Sequence, residues 1–320
     1  MNSPHTMHTI SINKFGGPEE LKLQDLPRPA LDAHEVLIRL EYAGVGPWDP
    51  VELHGEFEQY KPEKSHFPYI LGSEGAGTIE AIGSSVKNFK VGDRVYASSF
   101  LNPKGGFYAE YVAADEDLVF PVPKNLSLEQ AAVMAGVGIT ALRGLQDTLQ
   151  LKPGQTVLIF GASGGIGHLA VQIAKYMKAR VIAVASGKDG VDLVSKLGAD
   201  VTLDGHSENL VEQINQKIPE GLDAILLTAG GKQIKDLFKC LKPQGVAIAP
   251  NGVNLPAETA PLVKTYDGDV NHEILERFNK MAESGKFKVH VSRIFPLEKA
   301  VEAHQALSEH HLGKLALKVH

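Results

Sequence analysis

The chain has 320 residues, of which 43% are hydrophobic and 22% charged, and its formal net charge is −6. This length favours two domains, and the composition is that of an ordinary globular protein. No basic run suits a nucleic-acid partner, and the apolar runs fall short of the roughly 20 residues that a membrane span needs.

The first residues and the single cysteine bear on the compartment. Residues 1–12 lack the basic start and apolar core of a secretory signal, so we expect a cytoplasmic protein. Cys240 alone cannot form an internal disulfide or a multi-cysteine metal site. The amphipathic pattern over Lys232–Leu241 predicts a helix in which this thiol is buried.

Residues 8–125 form a pattern of short strands divided by glycine and proline turns. The predicted strands are Thr9–Asn13, Leu21–Leu23, Glu35–Leu40, Gly77–Ile82, Arg94–Ser98 and Phe107–Ala113, with one short helix at Pro47–His54. No helical period lasts beyond two turns. We therefore predict a compact, barrel-like β domain over residues 1–125.

From Leu126 the pattern changes to alternating helices and strands. A helical period covers Leu128–Gln146, and apolar strands follow it at Thr156–Phe160, Arg180–Ala185, Val201–Leu203, Ala224–Thr228 and Gly245–Ala249. Residues 126–267 are therefore predicted to form an α/β fold, a doubly wound parallel sheet. Such a sheet binds its ligands outside the carboxyl ends of the strands.

A glycine-rich turn follows the first of these strands, in TVLIFGASGGIG (156–167), and a helix is predicted next at His168–Met177. Glycine lets the backbone approach a pyrophosphate, and the N–H groups at the helix start supply donors and partial positive charge. The spacing is one residue longer than G-x-G-x-x-G. We predict a dinucleotide site at Gly161, Ala162, Ser163, Gly164, Gly165, Ile166 and Gly167.

The last part of the chain is predicted to return to the first domain. A helix over His272–Ser284, a strand at Lys288–Val291, a helix from Pro296 to about Leu307 and a strand at Leu315–Val319 are expected. Residues from about 268 to 320 would then complete the β domain. The active site would lie in the cleft between the two domains.

Four stretches in this order resemble the medium-chain dehydrogenase/reductase superfamily, in its zinc-free quinone oxidoreductase (zeta-crystallin-like) branch. They are GASGGIG (161–167), FPYILGSEGAGTIEAIGSSVKNFKVGDRVY (67–96), GGFYAEYV (105–112) and GKLALKV (313–319). The resemblance spans nearly the whole chain and implies a GroES-like barrel followed by a Rossmann nucleotide-binding domain. The longer glycine turn also resembles that branch.

The resemblance bears on zinc. In zinc-dependent relatives, ligands fall at the positions that Gly46 and Ser73 occupy here, and the four-cysteine structural loop is missing. Because catalytic zinc needs three protein ligands, we predict no zinc. Without a Lewis acid to activate an alcohol, the favoured reaction is hydride transfer from a nicotinamide to a small-molecule acceptor, a quinone or an α,β-unsaturated carbonyl.

The residues after the second strand of the sheet favour NADPH over NADH. Ser186 stands where an NAD-binding protein places an acid, and Lys188 can reach a 2′-phosphate. Asp189 leaves NADH open if the strand ends later. The lysine of the family usually lies near Gly190 and its tyrosine near Gly205, so these two phosphate contacts are displaced or lost here.

Further cofactor residues follow from the strand ends and the resemblance. Thr140 matches the family threonine near the nicotinamide. Thr228 and Ala229 end the fourth strand of the sheet, and Ala249 and Asn251 end the fifth. We expect all of them to line the nucleotide site.

The candidates for proton donation or acceptor binding are Asp49, Glu52, His54 and Tyr108, and of these Asp49, His54 and Tyr108 are the predicted catalytic residues. The asparagine and tyrosine of typical quinone reductases correspond to Gly46 and Val51, so their pattern is not reproduced. Asp49 could instead cap a helix, and His54 could be a surface imidazole. A quinone can also take its protons from water.

Three further features concern the acceptor site and assembly. Trp48 is expected to line the pocket, and the loop Leu53–Ser65 is either a lid over it or an ordinary solvated loop. If Leu262–Tyr266 forms a strand, a homodimer is expected. A second functional hypothesis stays open, namely a nucleotide-binding protein with little turnover and a structural or regulatory role, since Gly46 and Val51 lack the usual functional groups.

Overall fold

The computed structural model describes residues 5–61, 64–284 and 287–320, and it divides into two units. One unit comprises Met1–Gly136 and Val270–His320, and the other comprises Val137–Asp269. In this division the second unit begins at Val137, and a short helix over residues 128–131 packs against strands of the first unit. Within the described residues, no helix has the length and apolarity needed to cross a membrane.

The first unit consists mainly of strands. Those before the second unit are β1 (Thr6–Ile12), β2 (Lys22–Pro27), β3 (Glu35–Val45), β4 (Tyr69–Ile70), β5 (Glu74–Ile82), β6 (Arg94–Ser98), β7 (Tyr111–Asp115) and β8 (Val119–Pro121), with helices α1 (Trp48–Leu53) and α2 (Leu128–Ala131). The strand predicted at Phe107–Ala113 begins later, as β7. Phe107 and Tyr108 instead donate backbone hydrogen bonds to Gly72 and Leu71.

The second unit is a parallel sheet covered by helices. In chain order it contains most of α3 (Ala135–Leu142), then β9 (Thr156–Phe160), α4 (Gly165–Tyr176), β10 (Arg180–Ala185), α5 (Gly187–Lys196), β11 (Val201–Asp204), α6 (Leu210–Lys217), β12 (Leu222–Leu227), α7 (Ile234–Leu237), β13 (Leu241–Pro250) and β14 (Val263–Tyr266). The strand order is β11-β10-β9-β12-β13-β14 with every pair parallel. This order confirms the predicted doubly wound sheet.

The buried strand β9 lies at the centre of this sheet, between β10 and β12. All five of its residues are buried, which explains its continuous apolar sequence. Its neighbours are also apolar, and their side chains form a core with Leu158, Ile182 and Ile225 among its members. The edge strand β14 supplies the strand that the sequence left open at Leu262–Tyr266.

The predicted helix over Leu128–Gln146 is interrupted in the structure. It is divided into α2, α3 and a π-helical turn at Arg143–Thr148. Gly144 lies in the π turn, where an added Cβ would come 2.3 Å from the Tyr266 hydroxyl oxygen. The close approach of this tyrosine from β14 is a tertiary feature that the helical period does not reveal.

The C-terminal segment completes the first unit. It contains α8 (His272–Ala282), β15 (Val291–Pro296), α9 (Ala300–Ala306) and β16 (Lys314–Lys318). Strand β16 pairs antiparallel with β3 and parallel with β15, so both join the seven-stranded sheet of this unit. The strand predicted at Lys288–Val291 begins later in the chain, as β15. Residues 285–286 lie outside the described residues.

Candidate active site

The glycine turn lies at the carboxyl end of β9. Gly161 has φ 78°, in the left-handed region that favours glycine, and an added Cβ would lie 2.7 Å from Thr228 Oγ1. An added Cβ at Gly167 would lie 2.2 Å from the carbonyl oxygen of Gly161. Glycine at these two positions therefore lets α4 and the end of β12 pack directly against the turn.

Gly164 has a different environment. It precedes α4 with φ −81°, and an added Cβ would contact only the Gly161 carbonyl oxygen, at 3.4 Å. The protein's own packing therefore does not demand glycine there. No side chain caps the start of α4, and the N–H groups of Gly165, Ile166 and Gly167 have no acceptor within the helix. A helix start with these properties fits the phosphates of a dinucleotide.

Ser163 connects the glycine turn to the end of β10. Its Oγ accepts a hydrogen bond from the backbone N–H of Ser186 at 3.4 Å. The N–H groups of Gly161 and Ala162 both donate to the Val184 carbonyl, at 3.1 and 2.9 Å. The predicted phosphate and ribose residues thus lie together at one edge of the sheet.

Lys188, the predicted phosphate ligand, lies on the surface in this structure. Its Nζ is 2.8 Å from Asp192 Oδ2, one helical turn along α5, and its side chain is 88% exposed. The hydrogen bond to Asp192 raises the pKa of the lysine. To bind a 2′-phosphate, Lys188 would have to give up its contact with Asp192.

The structure adds an acid that the sequence reasoning missed. Asp204 ends β11, and its Oδ1 accepts hydrogen bonds from the N–H groups of His206 and Gly187, at 3.0 and 3.2 Å. These bonds hold the pKa of Asp204 below its usual range. His206 Nδ1 lies 3.2 Å from the same carboxylate, and His206 Nε2 lies 3.5 Å from Ser186 Oγ.

One signal in the sequence could have found this group. A parallel sheet brings the carboxyl ends of neighbouring strands to the same edge, which puts the residue after Leu203 close to Ser186. The register pairs Asp204 with Ala185 directly.

The ends of β12 and β13 also face this edge. Thr228 Oγ1 donates to the carbonyls of Phe160 and Gly161, at 2.8 and 3.1 Å, so it fixes the turn to β12. Ala229 is next to it, and its Cβ would lie 2.7 Å from a Cβ added at Gly161. Both residues thus lie against the glycine turn.

Thr140, Ala249 and Asn251 lie near the ends of β13 and β14. Ala249 is buried in β13, and Asn251 Nδ2 donates to Asp267 Oδ1 at 2.5 Å. An added Cβ at Gly268 would lie 2.3 Å from Thr140 Oγ1, so the segment after β14 passes close to α3. These contacts place Thr140 beside the carboxyl edge of the sheet.

In the first unit, Asp49 and Tyr108 are brought together. The Tyr108 hydroxyl donates to Asp49 Oδ2 at 3.0 Å, and His304 Nε2 lies 3.1 Å from the same hydroxyl. The Gly46 N–H also donates to Asp49 Oδ2, at 2.7 Å. All three side chains are buried. They form a network that ties α1 to the C-terminal helix α9.

Burial shifts the proton equilibria of this network. Desolvation raises the pKa of Asp49 from 3.8 to about 8, and the hydrogen bond from Gly46 opposes the shift only in part. Desolvation lowers the pKa of His304 to about 4. At neutral pH we therefore expect a neutral Asp49 and a neutral imidazole.

His54 lies apart from this network. It is exposed at the end of α1, and its Nδ1 is 2.6 Å from the Pro50 carbonyl oxygen. Glu52 is instead buried and bonded to the Tyr69 hydroxyl, and desolvation raises the pKa of this carboxyl. In the loop predicted over Leu53–Ser65, residues 62–63 lie outside the described residues.

Trp48 fills the volume next to the first of the two positions where zinc-dependent relatives carry ligands. An added Cβ at Gly46 would lie 2.5 Å from Trp48 Cζ2, and the indole N–H donates to Ser73 Oγ at 2.7 Å. Among the residues that the structure describes, no group of three or more His, Cys, Asp or Glu side chains could hold a metal ion. Gly46 and Ser73 therefore do not offer the ligands that a catalytic zinc would need at these two positions.

The chain matches two described families. Residues 32–124 match the alcohol dehydrogenase GroES-like domain, and residues 165–263 match the zinc-binding dehydrogenase family. The mouse quinone oxidoreductase is 31% identical over 316 residues, which cover 93% of each chain. The chain belongs to the quinone oxidoreductase family of the medium-chain dehydrogenase/reductase superfamily.

Two further relatives extend the comparison. The chloroplastic NADPH-dependent alkenal/one oxidoreductase of Arabidopsis thaliana is 31% identical, over 98% of this chain and 80% of the relative. The solved structure of the Escherichia coli quinone oxidoreductase complexed with NADPH superposes with a TM-score of 0.82 at 25% identity, over 98% of this chain and all of that one. The predicted family and its fold, a GroES-like unit with a Rossmann unit, are confirmed.

The protonation of Asp49 gives a test of stability in this family member. The folded state keeps a proton that the unfolded chain releases above pH 3.8, so this group's contribution to stability falls as pH rises from about 4 to about 8. We expect Asp49→Asn to remove this loss. The melting temperature of the variant, relative to the wild type, should increase between pH 5 and pH 9 in thermal denaturation.

Asp93→Asn is the control, because the pKa of Asp93 is shifted in the opposite direction from that of Asp49. The N–H and side chain of Lys90 lower the pKa of Asp93, so its contribution is lost only as pH falls below its ordinary range. This variant should keep the wild-type slope between pH 5 and pH 9. If the melting temperature of Asp49→Asn changed with pH in parallel with that of the wild type, the expected protonation of the buried Asp49 carboxyl would be contradicted.

Proposed function

We propose that this protein is a zinc-independent, NADPH-dependent oxidoreductase that transfers hydride to a quinone or an α,β-unsaturated carbonyl. The observation that carries the proposal is the uncapped start of α4, beside the glycine turn at the carboxyl edge of the sheet. The relatives named for quinone and alkenal/one reduction support the acceptor class. The relative solved with NADPH supports the coenzyme.

The chain's own residues would bind and orient the coenzyme. The N–H groups of Gly165, Ile166 and Gly167 would bind the pyrophosphate, and Thr228 fixes the turn that presents them. The reduced nicotinamide, when bound, supplies a hydride to the acceptor, and a proton from water completes the reduction. Thr140, Ala249 and Asn251 would lie on the nicotinamide side of the edge.

The preference for NADPH would depend on the turn between β10 and β11. Ser186 Oγ and His206 Nε2 lie 3.5 Å apart and would both face a 2′-phosphate, with Lys188 as a third donor. Because its Nδ1 already faces Asp204, His206 would donate from Nε2 as an imidazolium. Asp204 opposes a phosphate by its charge, but its Oδ1 is already engaged by two backbone N–H groups and His206. We propose that these donors outweigh it.

Independence from zinc rests on the packing of α1. The indole of Trp48 occupies the space beside Gly46, and Ser73 is engaged by the indole nitrogen. With neither position offering a metal ligand, the acceptor would be activated without a Lewis acid. Quinones and conjugated carbonyls accept hydride without a Lewis acid because they are electron-poor.

One observation favours a second function, nucleotide binding with little turnover. Asp49 and Tyr108 are fully buried and bonded to each other, while His54 lies elsewhere on the surface. None of the three candidate catalytic groups is then both exposed and paired with another. A protein of this design could bind the coenzyme without turning over an acceptor.

A homodimer through β14 is a further proposal. The strand is at the edge of its sheet, and Leu262 just before it is 62% exposed. An edge of this kind can pair with a second strand.

The proposed reaction is tested by the loss of NADPH absorbance at 340 nm with a panel of quinones and enals. We expect turnover of at least one class, and we expect 1,10-phenanthroline to leave the rate unchanged. Loss of activity with the chelator, restored by zinc, would contradict zinc independence. Coenzyme binding without turnover of any acceptor would favour the second function.

Coenzyme choice is tested by Lys188→Ala and His206→Ala. Each variant should weaken NADPH binding by on the order of tenfold and leave NADH binding within about twofold. The reason is that the removed side chain would contact only the 2′-phosphate, which NADH lacks. Dissociation constants from fluorescence titration measure both. Lys196→Ala, at the last residue of α5, is the matched control and should change neither. Equal losses for both coenzymes would remove these residues from the phosphate site.

Two glycine variants separate binding from folding. Gly164→Ala should fold normally, because its Cβ meets only one oxygen at 3.4 Å, yet weaken NADPH by about tenfold or more as the methyl group fills the approach to the phosphates. Gly167→Ala should cost about 1–3 kcal/mol of stability, because its Cβ would overlap the Gly161 carbonyl. Thermal melting and coenzyme titration check both. Unchanged binding in Gly164→Ala would contradict the phosphate site.

A further inference from the structure

Trp48 is the single tryptophan of the chain and is held in place from several sides. Its N–H donates to Ser73 Oγ at 2.7 Å, and its six-membered ring lies against Gly46. Lys314 Nζ lies 4.3 Å from the ring centroid. The ammonium covers one face of the indole, where a cation is attracted by the ring quadrupole.

Lys314 is itself fixed and neutralised. Its Nζ lies 3.0 Å from Glu74 Oε1, and both side chains are buried. The other carboxylate oxygen, Glu74 Oε2, accepts the Gly136 N–H at 2.8 Å. The group beneath the indole therefore carries no net charge. A platform of this kind suits a neutral ligand better than an anion.

The side chain of Trp48 is half-buried, whereas the residues that support it are buried. Asp49, Ser73, Glu74 and Lys314 are all buried, whereas Trp48 keeps part of its surface accessible. One face of the ring is covered by the ammonium of Lys314, and the side chain as a whole is not fully enclosed.

We infer that Trp48 is a stacking platform that selects planar aromatic quinones over small aliphatic enals as acceptors. Indole is an electron-rich ring and a quinone is an electron-poor one, and flat rings of this kind prefer offset stacking. A short aliphatic enal offers too little flat surface to gain from the same contact. The inference rests on the proposed function and specifies its substrate class.

Three variants test the platform by steady-state kinetics. Trp48→Ala should raise the KM for 1,4-naphthoquinone by about tenfold, whereas the KM for trans-2-hexenal should change by less than about threefold. Trp48→Phe keeps a flat ring and should restore most of the quinone affinity. Phe295→Ala is the matched control, since Phe295 is also a half-buried aromatic with a cation over its ring, from Arg293, in the same unit. It should leave both acceptors unchanged.

Fluorescence gives a readout that does not need turnover. Because Trp48 is the only tryptophan, excitation at 295 nm reports on this ring alone. Without coenzyme, 1,4-naphthoquinone should quench the emission saturably, after correction for absorbance with N-acetyltryptophanamide, and trans-2-hexenal should not. Thermal melting and NADPH affinity of the variants check that each is folded.

The outcomes separate this inference from the proposed function. Saturable quenching without turnover of any acceptor would support the platform and reject the reductase. Turnover of the quinone with the same KM in Trp48→Ala would reject the platform and keep the reductase. Equal losses for the quinone and the enal would also overturn it, because a damaged fold, and not stacking, would then explain the effect.

Discussion

The arrangement of the second unit depends on how closely α4 approaches the end of β9. With hydrogen as its only side chain, Gly167 lets the helix start lie against the Gly161 carbonyl, where any Cβ would overlap. That contact points the free N–H groups of the helix at the carboxyl edge of the sheet. Strand order then brings the ends of β10, β11, β12 and β13 to the same edge. One close backbone contact thus sets the position of the helix start that we propose for phosphate binding.

In the first unit, packing buries polar side chains and places the indole of Trp48 beside Gly46. Two pairs of polar side chains are buried there, Asp49 with Tyr108 through a hydrogen bond and Glu74 with Lys314 through an ion pair. Burial raises the pKa of Asp49 to about 8, so at neutral pH we expect it to act mainly as a hydrogen-bonding group and not as a charge. Trp48 occupies the space beside Gly46 and makes a metal ligand there impossible without repacking.

The two units differ in how their residues could serve a reaction. The proposed nucleotide site would be made largely from backbone groups, which any sequence with glycines in the right places can offer. The acceptor would instead meet side chains, and two candidate residues, Asp49 and Tyr108, are held in a buried network. Our proposal for the acceptor therefore rests on Trp48, which is partly accessible.

The sequence by itself determined the strands of the sheet, the glycine turn and the family. The ends of β9 and β10 were predicted exactly, because an apolar run ended by glycine or serine is a local signal. The tertiary structure alone decided the interruption of the long helix at Gly144, where Tyr266 approaches, and the buried network of Asp49, Tyr108 and His304. Each of these depends on a partner distant in sequence, which leaves no periodic pattern in the chain.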